Sequence, residues 1–133
     1  MVDLEKIKKE LVEDTKLDEL NLLEKQLILP SIKHKWIFRL IEEKRRLNSL
    51  NKKKKSTKIA ALVALEEQKG IPPGVSKSFL DKKIEESEPI QKIEEEIKDC
   101  ELLIEYLEKV EQIFKTMTYD MSNIIKIQTL EIT

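Results

Sequence analysis

The sequence predicts an all-α protein, an elongated helical protomer with coiled-coil-like packing that assembles into a homo-oligomer. Of the 133 residues, 38% are charged, 5% are aromatic and only two are glycine. This composition is typical of long helices and differs from that of sheet proteins. Apolar residues also recur at helical spacing through most of the chain. A thin helical chain of this length buries little apolar surface alone, so we expect self-association.

A single domain made of three helical segments is predicted for residues 1–133. Leucine and isoleucine recur at helical spacing in residues 1–29. Pro30 is expected to end that segment, because the residue before a proline avoids the α region. Residues 31–69 are predicted to form a basic helix. The Gly-Ile-Pro-Pro-Gly sequence that follows is a strong helix breaker, and residues 76–130 are predicted to form acidic amphipathic helices.

Residues 33–58, the basic segment, concentrate the positive charge of the chain. They hold eleven Lys or Arg against two acidic residues, whereas the whole chain has a net charge of −1. Such a block favours a polyanionic partner, and a solvated helix face is the alternative. The four consecutive lysines at 52–55, the lysine run, cannot face a core because no apolar residue interrupts them. The residues predicted to contact nucleic acid are Lys35, Arg45, Arg46, Lys52, Lys53, Lys54, Lys55 and Lys58.

The acidic half carries the strongest periodicity of the sequence. A helix start is predicted at Ser87 or Glu88, with Pro89 in the first turn. From Ile90 onward, apolar residues follow steps of three and four over five to six heptads, with one slip before Val110. This apolar stripe favours coiled-coil, bundle or ring packing. The residues predicted to form the oligomer interface are Ile97, Ile104, Leu107, Phe114, Met117, Met121 and Ile124. Residues 124–133 fit either a helix end or a short edge strand.

The residues that most enzymes and metal sites need are scarce. His34 is the only histidine and Cys100 the only cysteine, and no glycine-rich phosphate loop exists. We therefore predict no enzyme, no metal and no cofactor. Cys100 lies on the apolar stripe and is expected to be a buried small side chain, which fits a reducing compartment. No stretch is apolar enough for a membrane span, so a soluble, cytoplasmic protein without membrane contact is expected.

Trp36 leaves two interpretations open. It lies on the apolar side of the basic helix, which favours a place in the core. It is also flanked by Lys33, Lys35 and Arg39, where its ring could stack on an unpaired base.

Several stretches resemble the UvsY family, the recombination mediators of T-even-type bacteriophages. They are the opening LEKIKKEL, the His-Lys-Trp-Ile of residues 34–37, the block 52–70 and the closing YLEKVEQIFKTMTYDMSNIIKI. The likeness covers nearly the whole chain in order, spacing and length. Family members carry a Lys-Ala-Arg-Leu-Asp-Tyr-like stretch associated with DNA binding. Lys58 matches its lysine, whereas the arginine and the aromatic residue are missing here.

The resemblance implies a small helical protein that forms a ring-like homo-oligomer in the host-cell cytoplasm. It implies binding to single-stranded DNA and loading of a RecA-like phage recombinase onto DNA covered by the phage single-strand-binding protein. The alternative is a coiled-coil scaffold whose basic segment is only a solvated or membrane-facing surface. A basic-zipper protein is excluded, because its basic region must run as one helix into the zipper, and the proline-glycine break interrupts that path.

Overall fold

The computed structural model of the chain describes residues 4–18, 20–67 and 76–132. Within these ranges the chain is α-helical and contains no β-strand. The helices, in chain order, are α1 (Leu4–Thr15), α2 (Leu22–Glu67), α3 (Lys77–Glu85) and α4 (Glu88–Ile132). The predicted all-α class is confirmed.

Two compact units make up the fold. The first unit comprises Met1–Glu42 and Leu103–Thr133, and the second unit comprises Glu43–Leu102. Helices α2 and α4 each contribute a segment to both units. The single domain that the sequence predicts stays a prediction.

The first unit packs α1 and the N-terminal part of α2 against the C-terminal part of α4. Trp36 is 3% exposed, and its ring centroid lies 6.4 Å from that of Phe114, within the favourable range for aromatic pairs. Trp36 therefore has the core position that its place on the apolar side of the helix favours. The other buried apolar side chains of this unit are Ile7, Leu11, Leu22, Leu29, Ile32, Leu40, Leu103, Ile104, Leu107, Val110, Met117 and Met121.

A reciprocal pair of polar side chains leads from α1 into α2. Asp18 Oδ1 accepts hydrogen bonds from the backbone N–H groups of Leu20 and Asn21, both at 2.9 Å. In return, Asn21 Oδ1 accepts a hydrogen bond of 2.8 Å from the backbone N–H of Asp18. Donors near a helix start have no partner one turn earlier, so side-chain acceptors of this kind fix where the helix begins.

The predicted helix end at Pro30 is wrong, because α2 continues through this residue. A proline inside a helix removes one backbone hydrogen bond and costs about 3 kcal/mol. The buried side chains of Leu29 and Ile32 flank it, and burying one such side chain contributes about 1.5–3 kcal/mol. Packing of α2 in the first unit thus offsets the local cost of the proline. A rule based on sequence neighbours does not include this packing.

The second unit combines the C-terminal part of α2 with α3 and the N-terminal part of α4. The Cys100 thiol donates to the backbone oxygen of Glu43 and to its Oε2, both at 3.3 Å. Burial, followed by the hydrogen bond to Glu43, raises the pKa of Cys100 to about 11. The thiol is therefore buried and protonated at neutral pH, as its place on the stripe predicts. The buried apolar side chains here are Leu50, Ile84, Ile90, Ile93, Ile97 and Cys100.

Helix α4 begins at Glu88, so the predicted start at Ser87 or Glu88 is confirmed. Pro89 lies in the first turn, where its missing N–H needs no partner. The helix continues to Ile132, which decides the open question about the chain end in favour of helix over 124–132.

Helix α3 has a cap of its own. The hydroxyl of Ser76 accepts a hydrogen bond of 3.2 Å from the backbone N–H of Phe79, the usual arrangement at a helix start. The predicted break at residues 70–74 lies outside the described residues.

Six of the seven side chains assigned to the oligomer interface are buried within the single chain. The reason is that α2 packs along the stripe of α4 in each unit, with Trp36 against Phe114 in the first and Glu43 against Cys100 in the second. Ile124 is only half-buried. Contact of these residues with another copy stays a prediction.

Candidate nucleic-acid interface

Four of the predicted DNA contacts form an exposed basic surface on α2 in the second unit. They are Arg45, Lys52, Lys53 and Lys55, all exposed. Among the described residues, none forms an ion pair with these four side chains. Seven residues span about two helical turns and ten span about three, so Arg45, Lys52 and Lys55 share one side of the helix. We call these four residues the open cations.

The two other lysines at the end of the basic segment are held by acidic side chains. Lys54 Nζ lies 2.7 Å from Glu94 Oε1 on α4, and Lys58 Nζ lies 2.7 Å from Glu85 Oε1 on α3. The hydrogen bond from Lys54 lowers the pKa of Glu94, and the hydrogen bond from Lys58 lowers the pKa of Glu85. These pairs attach the second half of α2 to α3 and α4. They also reduce the charge that Lys54 and Lys58 present to an anion.

Arg46 is engaged with a buried acid. Its Nη1 lies 3.4 Å from Oε2 of Glu43, the same carboxylate oxygen that accepts the Cys100 thiol. Because a buried carboxylate needs a compensating partner, Arg46 stabilises this position of the core. The adjacent Arg45 has no such role in the structure.

Lys35 belongs to a charged cluster between α1 and α2 in the first unit. Its ammonium lies 3.0 Å from Glu10 Oε1 and 2.5 Å from Asp14 Oδ2. Arg39 donates to Glu10 at 3.0 Å, and Trp36 Nε1 donates to Asp14 at 2.8 Å. The Arg39 guanidinium also lies 4.8 Å from the Trp36 ring centroid, a cation–π distance.

The pKa values of this cluster favour its charged form. The hydrogen bond from Arg39 is the largest effect and lowers the pKa of Glu10. Burial acts to lower the pKa of Lys35, but the hydrogen bonds to Asp14 and Glu10 outweigh it, and the pKa is raised. Lys35 is thus committed to holding α1 on α2, a role that the charge count of the basic segment did not reveal.

An aromatic cavity beside Trp36 was missed by the sequence analysis. Its volume is about 180 Å³, and it is lined by Lys33, Trp36, Ile37, Leu40, Leu107, Glu111, Phe114 and Lys115. The position of Lys33 in the basic segment was a partial signal. Lys115 lies 82 residues further along the chain, and nothing in the sequence pattern connects the two.

Neither a metal site nor a membrane-spanning helix is found among the residues that the structure describes. Within residues 4–18, 20–67 and 76–132, no three His, Cys, Asp or Glu side chains converge to hold a metal ion. In the same ranges, no helix has an apolar stretch long enough to cross a bilayer.

The fold is similar to that of a known phage protein. One crystal form of the bacteriophage T4 recombination mediator protein UvsY, lattice type II, superimposes with a TM-score of 0.79 and 16% sequence identity, covering 100% of both chains. Lattice type IV gives a TM-score of 0.81 at 15% identity, covering 98% of this chain and 99% of that one. No family model and no curated protein sequence matches the chain. At this identity the likeness establishes the fold.

Proposed function

We propose that the chain is a recombination mediator that binds single-stranded DNA and helps load a RecA-like recombinase onto DNA covered by single-strand-binding protein. The observation that carries this proposal is the set of open cations on one helix. The similarity of the whole fold to a protein named as a recombination mediator supports it.

Binding is electrostatic in this proposal. Lysine and arginine neutralise phosphates and release the counterions condensed on the strand, which gives affinity with little sequence preference. For single strands, the slope of log K against log salt is about −0.7 per neutralised phosphate. The four open cations of one chain therefore correspond to a slope of about −3.

A ring of identical copies multiplies these contacts. Once one copy holds the strand, further copies bind it at high effective concentration, and the overall affinity rises without any new type of contact. A strand held along such a ring is bent away from the path that the resident single-strand-binding protein imposes. Weakening that protein's hold gives the recombinase access to the strand.

The direct test is a fluorescence-anisotropy titration of a labelled single strand at several salt concentrations, with duplex as competitor. We expect single strands to bind more tightly than duplex of equal length, with a steep salt dependence. Equal affinity for any polyanion, or no binding at low salt, contradicts the proposal.

A helical scaffold is the second candidate function. It is favoured by the pairing of Lys54 and Lys58 with acidic residues, because this pairing reduces the positive surface and leaves the open cations as an ordinary solvated face. The same titration separates the two functions, since a scaffold needs no affinity for single strands.

A further inference from the structure

The cavity beside Trp36 has the size of one aromatic ring. A cavity of about 150 Å³ accommodates benzene in a protein interior, and this one measures about 180 Å³. Its apolar wall includes Phe114, Leu40 and Leu107, and the rim includes Ile37, which is 47% exposed. Trp36 and Phe114 are each only 3% exposed, but both line the cavity, so a planar group that enters at the rim is placed against them there.

Two cations connect this cavity to a second hollow. Lys33 and Lys115 line the aromatic cavity and also line a neighbouring depression whose other walls are Thr118, Tyr119 and Ser122. Lys33 donates a hydrogen bond of 2.6 Å to the Thr118 hydroxyl. This side-chain bond holds the Lys33 ammonium between the two hollows. Among the described residues, Lys115 has no ion-pair partner.

We infer that the aromatic cavity and the neighbouring depression form a base-binding site for a single strand. One nucleobase occupies the cavity, and the adjacent phosphate lies between Lys33 and Lys115. The inference rests on the proposed function and adds a base-binding site to it. The hydroxyl-lined hollow, with the exposed ring of Tyr119, then receives the sugar and the following base. Stacking of bases on aromatic side chains beside cationic groups is the general mode of sequence-tolerant single-strand binding.

Glu111 favours a base over an aromatic peptide. Its exposed carboxylate is part of the cavity lining and accepts hydrogen bonds, and amino groups on base edges donate them. A phenylalanine side chain offers no donor to this carboxylate.

The base-binding site and the open cations have different chemistry, which makes them separable in an experiment. The open cations contact phosphates and are indifferent to whether bases are present. The Trp36 cavity requires a base. An abasic strand of equal length keeps the phosphates and removes the rings, so it binds the open cations but cannot fill the cavity.

The test compares base-bearing and abasic single strands, using tryptophan emission and anisotropy on the full-length protein. Trp36 is the only tryptophan, so its emission reports this cavity. We expect the base-bearing strand to quench the emission and the abasic strand to leave it unchanged. We also expect the base-bearing strand to bind about tenfold more tightly, the factor that corresponds to stacking of one base.

Two variants with matched controls locate the effect. Ile37→Phe fills the rim of the cavity and is expected to abolish both the quench and the tenfold preference. Ile41→Phe, at a similarly exposed position of the same helix that does not line the cavity, should keep both. Lys115→Ala should make the salt slope shallower by about 0.7. Lys126→Ala, an exposed lysine further along the same helix, should leave it unchanged.

The outcomes distinguish this site from the proposed function. If both strands bind equally and neither quenches Trp36, the site is refuted and the electrostatic function stands. If neither strand binds, both are refuted. Quenching by an acidic, phenylalanine-containing peptide but not by DNA would reassign the cavity to a protein partner. A quench and a preference that persist in Ile37→Phe would also overturn the inference.

Discussion

At the scale of single residues, the basic segment separates into side chains that hold the fold and side chains that are open to an anion. Lys35, Arg46, Lys54 and Lys58 each contact a carboxylate of the same unit. Charge counting along the sequence treats all of them alike. Only the packing of α2 against its neighbours shows which ammonium groups have a partner, because those partners lie 3 to 40 positions away in the chain.

The position of Lys35 gives a first prediction. Lys35→Ala leaves Asp14 and Glu10 with fewer donors, so the free energy of unfolding should fall by about 1 kcal/mol. Single-strand affinity per chain should change less than with Lys52→Ala. Urea denaturation and the salt titration measure the two effects. A variant as stable as the parent but clearly weaker on DNA would make Lys35 a phosphate contact, as the sequence predicts.

A second prediction concerns pH. The folded pKa of Glu10 lies below its ordinary value of 4.5, so its ionised form stabilises the fold. This contribution is fully present above about pH 4.5 and is lost as the pH falls through the lowered folded pKa. The urea concentration at the unfolding midpoint should therefore decrease as the pH is lowered below 4.5. This decrease should be smaller in Glu10→Gln than in the parent.

The control for this pH dependence is Glu13→Gln, which changes an exposed carboxylate of the same helix. Its acid profile should follow that of the parent. If Glu10→Gln showed the same acid profile as the parent, the pairing of Glu10 with Arg39 would not contribute to the stability of the fold.

At the scale of helices, the sequence predicted a helix boundary correctly where the local signals and the apolar periodicity agree. The start of α4 at Glu88 followed from Pro89 and the stripe that begins at Ile90, and both local and tertiary factors favour it. Pro30 is the opposite case. The local rule is correct about the cost, but the burial of the flanking Leu29 and Ile32 in the first unit offsets it. No local rule includes such tertiary burial.

A third prediction follows from the continuity of α2. Pro30→Ala restores one backbone hydrogen bond and removes a clash, worth about 3 kcal/mol in a helix interior. Greater freedom of the unfolded chain opposes this by about 0.4–1 kcal/mol. We therefore expect a net stabilisation of about 2 kcal/mol in urea denaturation. A lower stability of the variant would mean that Pro30 stabilises the folded state at this position.

At the scale of the whole molecule, the apolar stripe has a role inside the chain that its sequence could not reveal. A stripe of this length predicts packing against something, and periodicity alone does not say whether the partner is another copy or another helix of the same chain. Six of the seven predicted interface residues are buried within the single chain, and their contact with another copy stays a prediction. In the proposed ring, we therefore expect the contacts between copies to include side chains that remain exposed, such as Leu102 and Ile113.

A fourth prediction concerns assembly. Light scattering should give a mass that is a multiple of the 15.7 kDa chain, and Leu102→Asp with Ile113→Asp should lower it with the helical signal retained. Ile104→Asp should instead unfold the chain, because Ile104 is buried in the first unit. A mass of one chain for the parent protein at micromolar concentration would refute the ring.

The affinity for single strands of a variant lacking three open cations, Lys52→Ala with Lys53→Ala and Lys55→Ala, tests the central claim most directly. Its control replaces Lys77, Lys82 and Lys83, exposed lysines of α3 in the same unit, with alanine. The claim predicts a salt slope shallower by about 2 per chain for the first variant and an unchanged slope for the control. Equal slopes for the parent and both variants would contradict it.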